Sequence, residues 1–555
     1  MGKKIVIIGG VAGGATAAAR IRRLSEDADI TIIEKGPYVS YANCGLPYYI
    51  SGDIKQRSKL LLQTPEGFLK RYNVKVFVET EAVEIDRSAR RVKIKNSSGE
   101  SYLTYDKCIL SQGGTPIFPD MPGSNSKHVF KLWTVPDMDR IHSYIEEHQP
   151  KTAIVVGGGF IGLEMAEAFH HRNIRTTVVE LSDHLMISMD KEFGKLVEQK
   201  LVSQGVGVIT GLGVKSIIPE SNEVELSDGK RISAELVLFS VGVKPELSLA
   251  RQTGLDIGST GGLLVNQYLQ TSDPDIYAAG DLLEIHHKIS NKKVRIPLAG
   301  PANRQGRIAA TNVISGNTIK YKGALGTSVV KILDSTAATT GLTEKAAKDA
   351  GFQYEIAYVH KEHHASYYPG AEIIHLKMVY DIETHKVLGA QAFGKQGIDK
   401  RIDVIAVAIH AGLSVEDLTE LDLAYAPPYS SANDPINMIA FVAQNNLNKF
   451  SPTITPRLAL QKTSEGSAIL IDVRTPEEFK KGHVKGSLNI PVDDLRSRIQ
   501  EVPKTKEILL TCRVGYRGHL ANRILLENHI TTSKNITGGY LSIQLEGGFE
   551  EEFLN

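Results

Sequence analysis

Two stretches of the chain carry the same arrangement, and together they limit the fold more than any other feature. KIVIIGGVAGG (Lys4–Gly14) is a β-branched run that ends in glycines, followed by a small-residue helix pattern to Ser25. DITIIE then supplies a second strand pattern ending on Glu34. AIVVGGGFIGLE and TTVVE repeat the succession, with Gly157, Gly159 and Gly162 in the turn and Glu180 closing the second strand. A turn this tight lets backbone N–H groups approach a pyrophosphate, whose charge the helix N-terminus stabilises. The carboxylate after the second strand accepts from ribose hydroxyls. One glycine-rich turn is weak evidence, but two complete β-α-β units predict an α/β chain with two Rossmann-like domains and two dinucleotides. In the first unit Gly9, Gly10, Ala12, Gly13 and Gly14 form the turn, and Val11 stands where the pattern's second glycine is usual.

The 555 residues suffice for three or four domains of ~100–200 residues. A formal net charge of +1 offers no field to recruit nucleic acid or an acidic membrane. No apolar run approaches the ~20 residues of a membrane span. Three cysteines, Cys44, Cys108 and Cys512, cannot form a disulfide framework and suit a reducing compartment. The opening residues share lysines and an apolar stretch with secretory leaders, but their glycines and the matching Glu34 fit the nucleotide unit better. A cytoplasmic location is expected.

TSDPDIYAAGD (Thr271–Asp281) resembles the second flavin-binding motif of two-dinucleotide flavoproteins, with Gly280 and Asp281 at the ribityl chain. LSQGGTPIFP, around Gly113, resembles the point where the chain leaves the flavin domain. The expected order is therefore an FAD-binding domain at 1–113 and 245–321, with an NAD(P)H-binding domain inserted at 114–244. Alternating patterns such as EIIHLKMVYD suggest an α+β dimerisation domain at 322–443. QNNLNKFSPTITPRL reads as a polar, proline-bearing linker at 444–458, and 459–555 has the length of a further α/β domain.

SYANCGLPYY, HASYYPGAEIIHL and AYAPPYSSANDPINMIA resemble the single-cysteine branch of the pyridine nucleotide–disulfide oxidoreductases, and within it the coenzyme A-disulfide reductases. With its C-terminal domain, the chain is most similar to coenzyme A-disulfide reductase–rhodanese fusions, whose relatives include NADH-dependent persulfide reductases. The resemblance implies FAD, NADH or NADPH, and coenzyme A as substrate in a homodimer whose active site is shared between subunits. It makes Cys44 the thiolate that attacks a disulfide or persulfide and is then held as a mixed disulfide with coenzyme A. It assigns Thr16, Arg20, Arg23, Ser40, Asn43, Lys70 and Arg71 to the coenzyme, and adds Ala299 to the cofactor-binding residues. Arg20 and Arg23, three apart on a helix, share a face. Tyr367 and Tyr425 match tyrosines that reach the cysteine of the other subunit, and Asn303 stands where a relative has histidine. A sulfenic-acid cycle, as in NADH oxidases and peroxidases of this branch, is the rival chemistry. A flavin-based redox sensor or sulfur carrier is the non-enzymatic alternative.

EILLTCRVGYRGHLANRILLE reads as a buried strand, a loop and an amphipathic helix. Cys512 opens the loop and Arg513, Val514, Gly515, Tyr516 and Arg517 follow, with backbone N–H groups able to face the sulfur. Phosphatases also use a Cys-to-Arg loop, but only four residues separate Cys512 from Arg517, one fewer than a phosphatase loop. The smaller loop suits a sulfane sulfur. ILIDVRTPEEFKKGHVKGSLNIP upstream resembles the Asp-Val-Arg and Gly-His segments of rhodaneses. The histidines of VHKEHH (His360, His363, His364) have no converging ligand set in sequence and are not expected to hold a metal.

Overall fold

A computed structural model describes residues 2–546. It divides into two compact units, one running to Asp183 and from Gly205 to Gly326, the other holding His184–Gln204 and the chain from Thr327 onward.

The first unit contains two parallel five-stranded sheets built to one plan. In the first, the strand order is Ile276–Ala278, Lys107–Leu110, Lys4–Ile8, Asp29–Ile33, Val74–Phe77. In the second it is Gly207–Thr210, Arg175–Glu180, Thr152–Val156, Leu236–Phe239, Val129–Lys131. The central strands are buried along nearly their whole length, as parallel sheets covered on both faces require. Cys108 pairs with Val6 inside the first sheet and is fully buried.

The two glycine turns share their backbone conformation and close packing. Gly9 has φ 97° and Gly157 has φ 107°, a region closed to most side chains. A Cβ on Gly14 would lie 1.8 Å from the Gly9 carbonyl oxygen, and one on Gly162 would lie 2.0 Å from that of Gly157. These glycines let each helix pack directly against its strand. Val11 and Gly159 are the N-cap residues of the helices Ala12–Leu24 and Phe160–His171.

The second unit is centred on an antiparallel sheet ordered Ser328–Ile332, Ser335–Gly341, Val387–Gly394, Ile373–Asp381, Tyr354–Glu362. His184–Gln204 pack with this unit. The reason is a buried charge cluster: Lys377, with no exposed side-chain surface, donates to Asp190 at 2.8 Å, Glu192 at 2.5 Å and Glu344 at 3.0 Å. A buried ammonium needs such partners, and two of the three come from this segment.

A separate parallel sheet, ordered Thr453–Ile454, Ser533–Ile536, Glu507–Thr511, Ala468–Asp472, Leu488–Asn489, forms the C-terminal domain. The stretch expected as a linker, 444–458, carries regular structure of its own. The helix Pro435–Leu447 runs into it, Thr453–Ile454 is an edge strand, and Pro456–Ser464 is a helix capped by Thr455. Asn446 accepts the Thr453 N–H at 2.9 Å and donates to Tyr380 at 3.0 Å. The prolines that suggested a linker include Pro456 at a helix start, where proline is favoured. Among the described residues no helix is long and apolar enough to cross a membrane.

Candidate active sites

Each expected ribose carboxylate is already held by its own glycine turn. Glu34 accepts from Gly10 N at 2.8 Å and Gly36 N at 2.8 Å. Glu180 accepts from Gly158 N at 2.7 Å and Ser182 N at 2.8 Å. Burial pushes the Glu34 carboxyl up, and the two backbone donors oppose that shift. A Cβ on Gly159 would meet nothing within 4 Å, so backbone there faces open space. Gly280, at φ 100°, donates its N–H to Gln305 at 2.8 Å and presents Asp281, whose carboxyl burial pushes up to about 6. Gly113 is also left-handed at φ 71°, and Ala299 opens the helix Ala299–Ser315. Oriented turn amides, fixed carboxylates and open backbone suit two dinucleotides.

Cys44 lies in the short 3-10 turn Asn43–Gly45, just before the helix Leu46–Ser51. Ser40, a non-glycine residue at φ 49°, links this loop to the first glycine turn by donating its N–H to the Gly10 carbonyl at 2.8 Å. Such a strained residue persists only where its surroundings fix it. Cys44 is exposed to solvent, yet enough protein surrounds it that desolvation is the largest effect on its thiol. Desolvation, then the charges of Glu164 and Asp281, push that thiol up. Glu164 comes from the second glycine fingerprint, and Tyr48 donates to it at 3.2 Å. Burial pushes Glu164 up to about 7. Neither Tyr48 nor Glu164 was anticipated, although Tyr48 stands one helical turn from Cys44 and Glu164 two residues after Gly162.

Thr16 donates to Asn303 at 2.6 Å, so two helices meet where the coenzyme residues were expected. Arg20 is close enough to Arg307 and Arg23 that, after desolvation, both lower its pKa. Arg307 is a further basic residue that sequence reading missed; its Asn303-Arg307 spacing of one helical turn was the available signal. Lys70 and Arg71 occupy the last turn of the helix Pro65–Tyr72 and are exposed.

In the second unit the hydroxyls of Tyr367 and Tyr425 lie 3.2 Å apart, and both rings are exposed. Tyr425 lines a cavity of about 500 Å³ with His363, Lys400, Arg401 and Tyr429. His363 hydrogen-bonds the Glu372 backbone, His364 the Ala365 carbonyl, and His360 the Ser542 hydroxyl.

Cys512 follows the strand Glu507–Thr511 and is 1% exposed. Of the loop amides, the Gly515 N–H reaches its sulfur, at 3.1 Å, from a backbone at φ 97°. Arg517 turns to Glu478, donating twice at 2.6 and 2.8 Å and pushing that carboxyl down to about 2. Arg513 and Tyr516 are exposed at the loop rim and Val514 is half-buried. Glu478 was not anticipated; its capping box with Thr475 was the signal available in sequence.

The arrangement of two dinucleotide folds around a lone cysteine has counterparts. Residues 3–306 match the pyridine nucleotide-disulphide oxidoreductase family, residues 327–434 its dimerisation domain, and residues 455–546 the rhodanese-like domain. The chain belongs to the pyridine nucleotide-disulphide oxidoreductase family, which implies FAD and NAD(P)H as cofactors. It is 36% identical over 443 residues to the NAD(P)H coenzyme A polysulfide/persulfide reductase of Pyrococcus horikoshii, covering 80% of this chain and 98% of that protein. It is 34% identical over 445 residues to the coenzyme A disulfide reductase of Staphylococcus haemolyticus, covering 80% of this chain and all of that one. The solved structure of reduced Bacillus anthracis CoADR-RHD matches all of both chains at 44% identity, with a TM-score of 0.97. A NAD-dependent persulfide reductase from A. fulgidus matches 97% of this chain and 99% of its own at 37% identity, with a TM-score of 0.90.

Proposed function

We propose that the chain is an NAD(P)H-dependent reductase of coenzyme A disulfide or coenzyme A persulfide, joined to a sulfurtransferase domain. The observation that carries this reading is the isolation of Cys44. It is exposed, while Cys108 lies inside a sheet and Cys512 is buried in another domain. A lone accessible thiol cannot form an internal disulfide, so the second sulfur must come from the substrate.

Cys44 thiolate attacks one sulfur of the substrate; the Cys44–S bond forms, the substrate S–S bond breaks, and a thiolate or hydrosulfide leaves. When bound, FAD supplies the electron pair that NAD(P)H delivers and the mixed disulfide requires. Gly9, Gly10, Ala12, Gly13, Gly14, Glu34, Gly113, Gly280, Asp281 and Ala299 would hold it, and Gly157, Gly159, Gly162 and Glu180 the nicotinamide nucleotide. Thr16, Arg20, Arg23, Ser40, Asn43, Lys70 and Arg71 orient the coenzyme, with guanidinium groups suited to its phosphates. Tyr367 and Tyr425, paired through their hydroxyls, supply a proton to the departing sulfur across a homodimer interface. Glu180 is fixed by two amides where it accepts from a ribose hydroxyl and repels a 2′-phosphate, which favours NADH. Free thiols at Cys44 and Cys512 fit a cytoplasmic setting. Cys512 carries a sulfane sulfur as a persulfide stabilised by the Gly515 amide.

The test is steady-state NADH and NADPH oxidation with coenzyme A disulfide and with coenzyme A persulfide, with hydrosulfide measured. Sustained turnover on either substrate supports the reading. One flavin reduction without turnover would support a sensor, and turnover on peroxide or oxygen alone would support the sulfenic-acid cycle.

A further inference from the structure

The loop around Cys512 rests on a floor that is packed from both sides. The Cys512 carbonyl accepts the Tyr540 N–H at 2.7 Å and the Arg513 carbonyl accepts the Leu541 N–H at 3.1 Å. Asn535 donates to the Gly515 carbonyl at 3.0 Å. Within this floor, Gly538 and Gly539 are consecutive left-handed residues, at φ 72° and 61°. Their missing side chains face different neighbours. A Cβ on Gly539 would lie 2.3 Å from the Cys512 carbonyl oxygen and 2.7 Å from Gly515 N. A Cβ on Gly538 would lie 2.0 Å from Ser542 Oγ, 2.8 Å from Tyr358 Cβ and 3.0 Å from His360 Nε2.

Tyr358 and His360 do not belong to the rhodanese-like domain. They sit on Tyr354–Glu362, the edge strand of the antiparallel sheet. The contact is hydrogen-bonded as well as close. Tyr358 donates its N–H to Thr537 Oγ1 at 2.9 Å, and His360 Nε2 and Ser542 Oγ lie 2.7 Å apart. All four residues are buried, and the other ring nitrogen of His360 lies 3.0 Å from His375 Nδ1. A single glycine pair thus separates the dimerisation sheet from the backbone that faces the sulfur. Close-packed interiors transmit displacement, and groups that position reactive atoms tolerate little of it.

We propose that the strand Tyr354–Glu362 is a positioning element of the sulfurtransferase site, with His360 acting through Ser542 and the Gly538–Gly539 pair to hold the loop around Cys512. The inference rests on the reading of Cys512 as a sulfane-sulfur carrier. It makes the reductase portion of the chain part of the machinery that shapes the second site, with no chemical group of its own in the transfer.

The test uses the full chain and sulfur transfer from thiosulfate to cyanide. His360→Ala and Ser542→Ala should each lower kcat about fivefold or more, with the KM for thiosulfate changed less than about twofold. Alkylation of Cys512 by iodoacetamide should slow by a similar factor. His360→Gln, whose amide can still bond Ser542, should keep at least about half of wild-type transfer. Reduction of coenzyme A disulfide should stay within about twofold in all three variants. Transfer near wild type in both alanine variants would overturn the proposal, as would equal losses in His360→Gln and His360→Ala. If His360→Ala does not fold, Ser542→Ala decides alone. Undiminished transfer by Cys512→Ser would remove the carrier reading itself, an outcome separate from those.

Discussion

Cys44 opens to solvent from a 3-10 turn, whereas Cys512 is 1% exposed at the end of a parallel strand. Around Cys44 the nearby charges are carboxylates, Glu164 and Asp281, and with desolvation they favour the neutral thiol. Around Cys512 the Gly515 amide points at the sulfur, and Arg517 lies close enough to feel its charge. The difference separates two tasks for one functional group. An exposed thiol can exchange with a bulky disulfide. A buried sulfur under an inward amide holds a small charged product and excludes large partners.

Exchanging the two cysteines one at a time tests that division most severely. Cys44→Ser should lower coenzyme A-disulfide reduction by about a thousandfold or more and leave thiosulfate sulfur transfer intact. Cys512→Ser should do the reverse. Loss of both activities in either folded variant would mean that the sites form one obligatory relay.

The carboxylate side of the contrast is sharpened by Glu164→Gln. Glu164, pushed up to about 7, is ionised above that pH and then opposes the Cys44 thiolate. Removing its charge lowers the thiol's pKa. Alkylation of Cys44 at pH 8 should speed up about threefold, with little change at pH 6, where Glu164 is mostly protonated. An unchanged rate at pH 8 would show that the charge of Glu164 does not act on this thiol.

The smallest expected effect lies at the other cysteine. Glu478 and Arg517 form a two-point pair whose side chains are 31% and 29% exposed. Glu478→Gln should cost about 0.5–1 kcal/mol of stability at pH 7, read from denaturant unfolding. Because the folded-state pKa of Glu478 is lowered from 4.5 to about 2, its contribution is present above the unfolded value and is lost as pH falls toward 2. A wild-type advantage that instead grew on acidification through that window would contradict the assignment.

The two sheets of the first unit were legible because parallel strands buried on both faces leave apolar runs, and because Gly9, Gly14, Gly157 and Gly162 occupy positions that a Cβ would block. The Cys512 loop was legible for the same reason, as strand, turn and helix lie in one continuous stretch. What escaped depends on contacts distant in sequence. Nothing in residues 184–204 announces that Asp190 and Glu192 will pair with Lys377, 187 and 185 positions away. Tyr48 and Glu164 meet across 116 residues. Polarity and proline in 444–458 describe a helix start as well as a connection, so the pattern alone did not show the strand Thr453–Ile454 or the Asn446–Thr453 bond.

The claim that most needs testing is that Cys44 takes its second sulfur from the substrate. Protein whose cysteines have been reduced with dithiothreitol and then freed of it should be incubated with coenzyme A disulfide, without nicotinamide nucleotide, and its intact mass and peptides measured before and after fresh dithiothreitol. The account predicts one coenzyme A per chain, attached through a reducible bond at Cys44 and absent from Cys44→Ser. Oxygen addition at Cys44 without coenzyme A, or a coenzyme A adduct confined to Cys512, would contradict it.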